Sequence, residues 1–153
     1  MNCKTACVLF LFVAMWATSQ SAQAANLNVN CDKKETIHKA LRLIADLNPG
    51  GPNTITVSGS CKENVVVDGF DRLTLTTKTG ASISDHSGGA LAVVFVHDSQ
   101  SFTLQGFTIN GGNDGFDCVG ASVCYLRANT SSLPSVSKGW EWAAARGPFS
   151  SAM

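Results

Sequence analysis

An excess of charge, a basic block and a membrane-length apolar run are all missing from these 153 residues. Lysine and arginine number 11, and so do aspartate and glutamate. No basic run is interleaved with aromatics, so the usual footprint of a nucleic-acid binder is absent and no nucleic-acid partner is expected. No Cys-x-x-Cys pair occurs, and His38, His86 and His97 stand in unrelated contexts. A zinc site therefore has no ligand spacing to rest on. The apolar run Val8 to Ala17 holds ten residues, against the roughly 20 that a membrane span needs. No Asn-Gly or Asp-Gly dipeptide is flanked by two long alternating runs, so hairpins are not signalled.

What is present begins with an export signal. Lys4 supplies a positive start, the apolar run follows, and Ala22-Gln23-Ala24 offers the small-x-small pattern of a cleavage site. Neither Cys7 nor Cys31 sits in a lipobox. Residues 1–24 are read as a signal peptide, and the mature chain as a secreted or periplasmic protein with no membrane span. Its charge is −1 once Lys4 is gone. Four cysteines then remain: Cys31, Cys61, Cys118 and Cys124. An even number in an oxidising compartment reads as disulfides. Three pairings are open, and the spacing suggests Cys31–Cys61 with Cys118–Cys124.

The mature chain opens with a segment, 25–52, that carries one well-signalled helix. Asp32-Lys33-Lys34-Glu35 has the form of a capping box. Ile37, Leu41 and Ile44 recur at helical spacing, with Ala40 and Leu47 widening the apolar face. Asn48 to Pro52 stops it. Over 53–130 the texture changes to short β-rich runs divided by Gly, Asp, Asn and Ser. They are Thr54–Val57, Val65–Val67, Leu73–Thr76, Ala81–Ser84, Val93–Val96, Phe102–Leu104 and Phe107–Ile109.

Internal repetition organises these runs. Ser101–Gly106 lines up with Val123–Ala128 at an offset of 22 residues, and Asp71–Leu75 with Gln100–Leu104 at an offset of 29. Turns of roughly 20 to 30 residues with two or three short strands each indicate a solenoid. Leu73 and Leu75, Phe102 and Leu104, and Cys124 and Leu126 are expected to stack inside it. Gly106, Asn110 and Gly111 are placed at its corners. The expected fold is all-β, a right-handed parallel β-helix with an N-terminal capping α-helix.

With the signal, the helix Glu35–Leu47, the stretch Asn53–Val65 and the repeats Asp71–Asn110 in place, the chain resembles bacterial right-handed parallel β-helix proteins of the pectin-lyase-like superfamily. The likeness covers about residues 30–130. It implies that the helix closes one end of the coil, and it is specific for fold rather than activity. The tail 131–153 departs from it: Trp140, Trp142 and Phe149 appear where β-branched residues nearly vanish. A true cap and a truncated or frameshifted end are both readings of this tail, and truncation is favoured.

Candidate chemistry is sparse. Gly112-Asn113-Asp114-Gly115-Phe116-Asp117 nearly fits a calcium-binding nonapeptide, which makes Asp114 and Asp117 weak metal candidates. A single copy has no stacked neighbour to complete an oxygen shell. A tight corner beside a Cys118–Cys124 bridge is the preferred account. The same two aspartates could serve as an acid–base pair for glycoside hydrolysis. Of the polygalacturonase motifs, however, only Asn113-Asp114 is faintly echoed, His86 lies in Asp-His-Ser, and no Arg-Ile-Lys exists. Arg72 follows Asp71 as an exposed ion pair would. His97-Asp98-Ser99 has triad residue types, but neighbouring strand residues point to opposite faces. Asn129-Thr130-Ser131 is a glycosylation sequon only in a host that modifies it. No catalytic residue is assigned. The function expected is an exported binding or structural module whose flat faces contact polysaccharide, without a cofactor unless calcium binds. The alternative is a fragment of a pectate lyase- or polygalacturonase-like enzyme.

Overall fold

The structure, a computed structural model, describes residues 24–131 except Pro49. The segment expected to be a signal peptide, apart from Ala24, and the tail with Trp140, Trp142 and Phe149 lie outside the described residues. Nine strands form two parallel sheets beside one α-helix, an all-β architecture. The strands are β1 (Ala25–Asn30), β2 (Asn53–Lys62), β3 (Val65–Asp68), β4 (Leu73–Ser84), β5 (Val94–His97), β6 (Phe102–Asn110), β7 (Phe116–Val119), β8 (Cys124–Arg127) and β9 (Thr130–Ser131). The larger sheet runs β1-β2-β4-β6-β8, with β9 also on β6, and the smaller runs β3-β5-β7. From β2 to β8 the chain alternates between the two sheets.

Each pass returns to the same sheet in parallel register. Leu27, Ile55, Leu75, Leu104 and Leu126 form one continuous row, each paired with the next. Phe102 pairs with Cys124 and Leu104 with Leu126, which is the 22-residue offset; Asp71 bridges Gln100 and Leu75 pairs Leu104, which is the 29-residue offset. Alternation places the apolar member of each strand inward. Val65 and Val67, then Val94 and Val96, do for the small sheet what Leu73 and Leu75 do for the large one, and all six are fully buried. Both sheets share a single core. The rings of Phe102 and Phe116, 6.3 Å apart, join the two sheets across it.

Several expected short runs merge. Leu73–Thr76 and Ala81–Ser84 are one strand, β4, with a register shift between Thr76 and Ala81. Phe102–Leu104 and Phe107–Ile109 are likewise one strand, β6. Gly106, at φ 84°, carries the chain through the bend between the two halves of β6, and a Cβ there would lie 2.9 Å from the Thr77 methyl. Phe116 and Asp117, the end of the stretch expected to form a tight corner beside the Cys118–Cys124 bridge, instead open strand β7 (Phe116–Val119).

The helix α1 spans Ile37–Leu47 and lays Ile37, Ala40, Leu41 and Ile44 against β1, β2 and β3, the first strands of both sheets. The expected capping box is corrected. Thr36 is the N-cap, its Oγ1 accepting from the Lys39 amide at 3.2 Å. Asp32 belongs to a separate 3₁₀ turn, Cys31–Lys33, and accepts from the Ser60 amide. Glu35 reaches back to the Asn30 amide at 2.7 Å rather than to Asp32. Lys34 lies in the left-handed region at φ 65°, which breaks the chain between the two helical pieces. Leu47 is 68 % exposed and does not join the apolar face. Both disulfides form with the pairing that the spacing suggested, Cys31–Cys61 and Cys118–Cys124.

Candidate functional site

The parallel register that buries one set of side chains sets the alternate set in rows on the outside. On the larger sheet, Asn26, Thr54, Thr74, Thr103 and Tyr125 make one row, and Asn28, Thr56, Thr76, Gln105 and Arg127 make the next. Neighbouring strands lie about 4.8 Å apart, so each row is roughly 19 Å long, and the rows are about 6.6 Å apart along the strands. Only Arg127, at one end, is charged. Among the described residues none of these ten side chains makes a hydrogen bond or ion pair, so their hydroxyls and amides face outward with capacity to spare. Threonine suits such a face: it favours strands, and its branched Cβ restricts χ1, so little rotamer freedom remains to be lost on contact.

A shallow groove interrupts the second row. The extra residues of β4 between Thr76 and Ala81 loop outward, and Lys78 and Thr79 rise opposite Asn28, Asn30, Thr56 and Ser58. Glu35 closes the groove on the side of the 3₁₀ turn, giving an open cavity of about 330 Å³. Five of its nine lining residues, Asn28, Asn30, Thr56, Ser58 and Thr79, carry a neutral hydroxyl or amide, while carbon makes up most of the lining surface.

The outer face of the smaller sheet has a different character. Val66, Phe95 and Asp117 line up across its strands, followed by Asp68, His97 and Val119. His97 Nδ1 lies 3.0 Å from Asp68 Oδ1 and 3.6 Å from Asp98 Oδ2. Chiefly the hydrogen bond to Asp68, opposed by partial desolvation and aided by the charge of Asp98, raises the imidazole above its ordinary pKa. The His97 ring is stacked near that of Phe95, with centroids 6.4 Å apart.

The residues singled out from sequence are not brought together into one reactive centre. Asp114 sits in the turn before β7, where its carbonyl accepts from the Val93 amide, and Asp117 lies on the outer face of β7. Among the described residues no third carboxylate, histidine or cysteine joins them in a metal-type cluster. The trio that does lie close, Cys31, Cys61 and Glu63, has its two sulfurs bonded to each other. Glu63 is engaged elsewhere: its carboxylate accepts from the amides of Ile37 (2.8 Å) and His38 (3.1 Å) at the start of α1. Arg72 pairs with Asp71 at 3.0 Å and also donates to the carbonyls of Gly50 and Gly51, clamping a loop.

His97-Asp98-Ser99 is not a triad. Ser99 is fully buried, donating to the His97 carbonyl and accepting from the Phe70 amide, while His97 faces outward. The amide of Asn129 donates to the Leu104 carbonyl, so the sequon nitrogen is occupied inside the fold. Asp85, which the sequence did not flag, accepts from the Ser87 hydroxyl, the Asn64 amide and the backbone of Ser87 and Gly89. These bonds hold its carboxyl well below the usual range. It braces a corner.

From sequence the flat faces were expected to contact polysaccharide, but the threonine rows on one of them were not singled out. Their signal lay in Thr54-Ile55-Thr56 and Thr74-Leu75-Thr76, where alternation was read only for its buried member. Comparisons with protein families, with curated proteins and with solved structures find no match for this chain.

Proposed function

We propose that this protein is an exported polysaccharide-binding module, built as a right-handed parallel β-helix of the pectin-lyase-like kind, whose outer threonine–asparagine face contacts the glycan. The coil reading is supported by the alternation of strands between two parallel sheets and by turns that recur every 20 to 29 residues in register. Export is supported by two disulfides, which persist in oxidising compartments. Among the described residues no helix is long and apolar enough to cross a membrane.

The observation that carries the binding reading is the pair of outer rows. A polysaccharide presents hydroxyls at regular intervals along an extended chain. A flat face with regularly spaced, uncommitted hydroxyls and amides offers matching donors and acceptors. Catalysis receives less support, because Arg72 is committed to a loop and Ser99 to the backbone.

The test is retention of the secreted protein on insoluble polysaccharides such as cellulose, xylan and chitin. Retention is expected for the wild type and is expected to fall several-fold in Thr54→Ala/Thr74→Ala/Thr103→Ala. The control Phe95→Ala/Asp117→Ala, on the other sheet, should be retained like the wild type. Equal loss in both variants, or no retention at all, would contradict the proposal.

A further inference from the structure

The binding face carries information about which polysaccharide it takes. Resting on the binding reading above, we infer that the glycan is uncharged and that one of its sugars seats in the groove between the Asn28–Thr56 row and the Lys78–Thr79 loop. An acidic glycan such as polygalacturonate bears a carboxylate on each sugar. Laid along these rows, it would place a series of anions against neutral hydroxyls and amides. Each anion would lose hydration without gaining a cation, which is unfavourable. Protein surfaces that hold polyanions repeat lysine or arginine along the contact, whereas here Arg127 is the single charged member of both rows and lies at one end.

The groove repeats the same selection at short range. Asn28, Asn30, Thr56 and Ser58 give it neutral donors and acceptors, and its two charged members, Glu35 and Lys78, are of opposite sign. Glu35 is held in place by the Asn30 amide, and Ser58 by the Val29 carbonyl at 3.3 Å, so this side of the groove is preformed. A sugar carboxylate entering there would meet the Glu35 carboxylate as well as the Lys78 ammonium, so the groove offers it no net positive charge. A neutral sugar would meet the hydroxyls and amides of Asn28, Asn30, Thr56 and Ser58 with its own hydroxyls, and the carbon surface that makes up most of the lining with its C–H faces. At about 330 Å³, the groove is at the small end of ligand sites, the size suited to one or two sugars.

The experiment is titration calorimetry of the mature secreted protein with soluble neutral glycans (a mixed-linkage β-glucan and a xylan) and with polygalacturonate, at 0.05 and 0.5 M NaCl. The neutral glycan is expected to bind more tightly at both salts, with an affinity that changes less than about twofold between them, because no ion pair is screened. Asn28→Ala and Thr56→Ala are each expected to weaken it about fivefold, the worth of one hydrogen bond, with thermal melts close to wild type. Polygalacturonate binding as tightly as the neutral glycans would overturn the class assignment while leaving the polysaccharide reading intact. Neutral binding that ignores both groove variants would overturn the groove assignment. Binding to none of the three would remove the parent reading, and this inference with it.

Discussion

Glu63 shows how much a single side chain organises. It follows β2 directly, yet both its oxygens accept from the first amides of α1, so it caps a helix from a distant part of the sequence. Amides at a helix start have no partner within the helix and carry positive partial charge, which a carboxylate satisfies. Glu63→Ala is expected to cost about 1–2 kcal/mol, in the range of lost caps, and Glu63→Gln less, as measured by denaturant unfolding. His97 offers a second test at this scale. Its hydrogen bond to Asp68 raises its pKa, so an NMR titration should place its midpoint above 6.5 and Asp68→Asn should bring it down. A raised histidine contributes stability that is fully present below its unfolded pKa and lost as pH rises through the folded one. Asp85 works in the opposite direction. Its depressed carboxyl contributes above the unfolded value near 3.8 and loses that contribution as pH falls below it, so Asp85→Asn should flatten the acid limb of a stability–pH curve.

The elements divide into those the sequence displayed and those it disguised. The helix was visible because Ile37, Leu41 and Ile44 keep their spacing, but its start was misplaced. Asp32 and Glu35 have cap chemistry and spend it on Ser60 and Asn30, a tertiary use that local pattern does not reveal. The long strands β4 and β6 looked like pairs of short ones because their outward loop and bend carry Gly80 and Gly106, and glycine weakens a strand interior. The disulfides belong to this scale as well. Cys31–Cys61 closes a separation of 30 residues and Cys118–Cys124 one of 6. On chain-entropy grounds the first is worth about 3–4 kcal/mol and the second about 2. Cys31→Ser/Cys61→Ser should therefore lower the unfolding midpoint more than Cys118→Ser/Cys124→Ser does, read by thermal or denaturant melts. The reverse order would mean that the chain end near β8 carries more of the stability than its loop length predicts.

At the scale of the whole molecule, register was the most legible property. The offsets of 22 and 29 residues became hydrogen-bonded pairing because a parallel sheet must repeat its inward residue types at fixed positions, and Leu75, Leu104 and Leu126 did so. The proposed binding face was less legible. Thr54, Thr74 and Thr103, three separated letters in the chain, become one surface only when β2, β4 and β6 pair. This outer face of the larger sheet is the proposed binding surface. It is tested most directly by amide and side-chain NMR shift mapping of residues 25–153 on addition of a soluble β-glucan oligosaccharide. The predicted result is perturbation confined to Asn28, Thr54, Thr56, Thr74, Thr76 and Thr103 and to the Lys78 loop. Perturbation centred on Val66, Phe95, His97 and Asp117 instead, or on no contiguous surface, would contradict it.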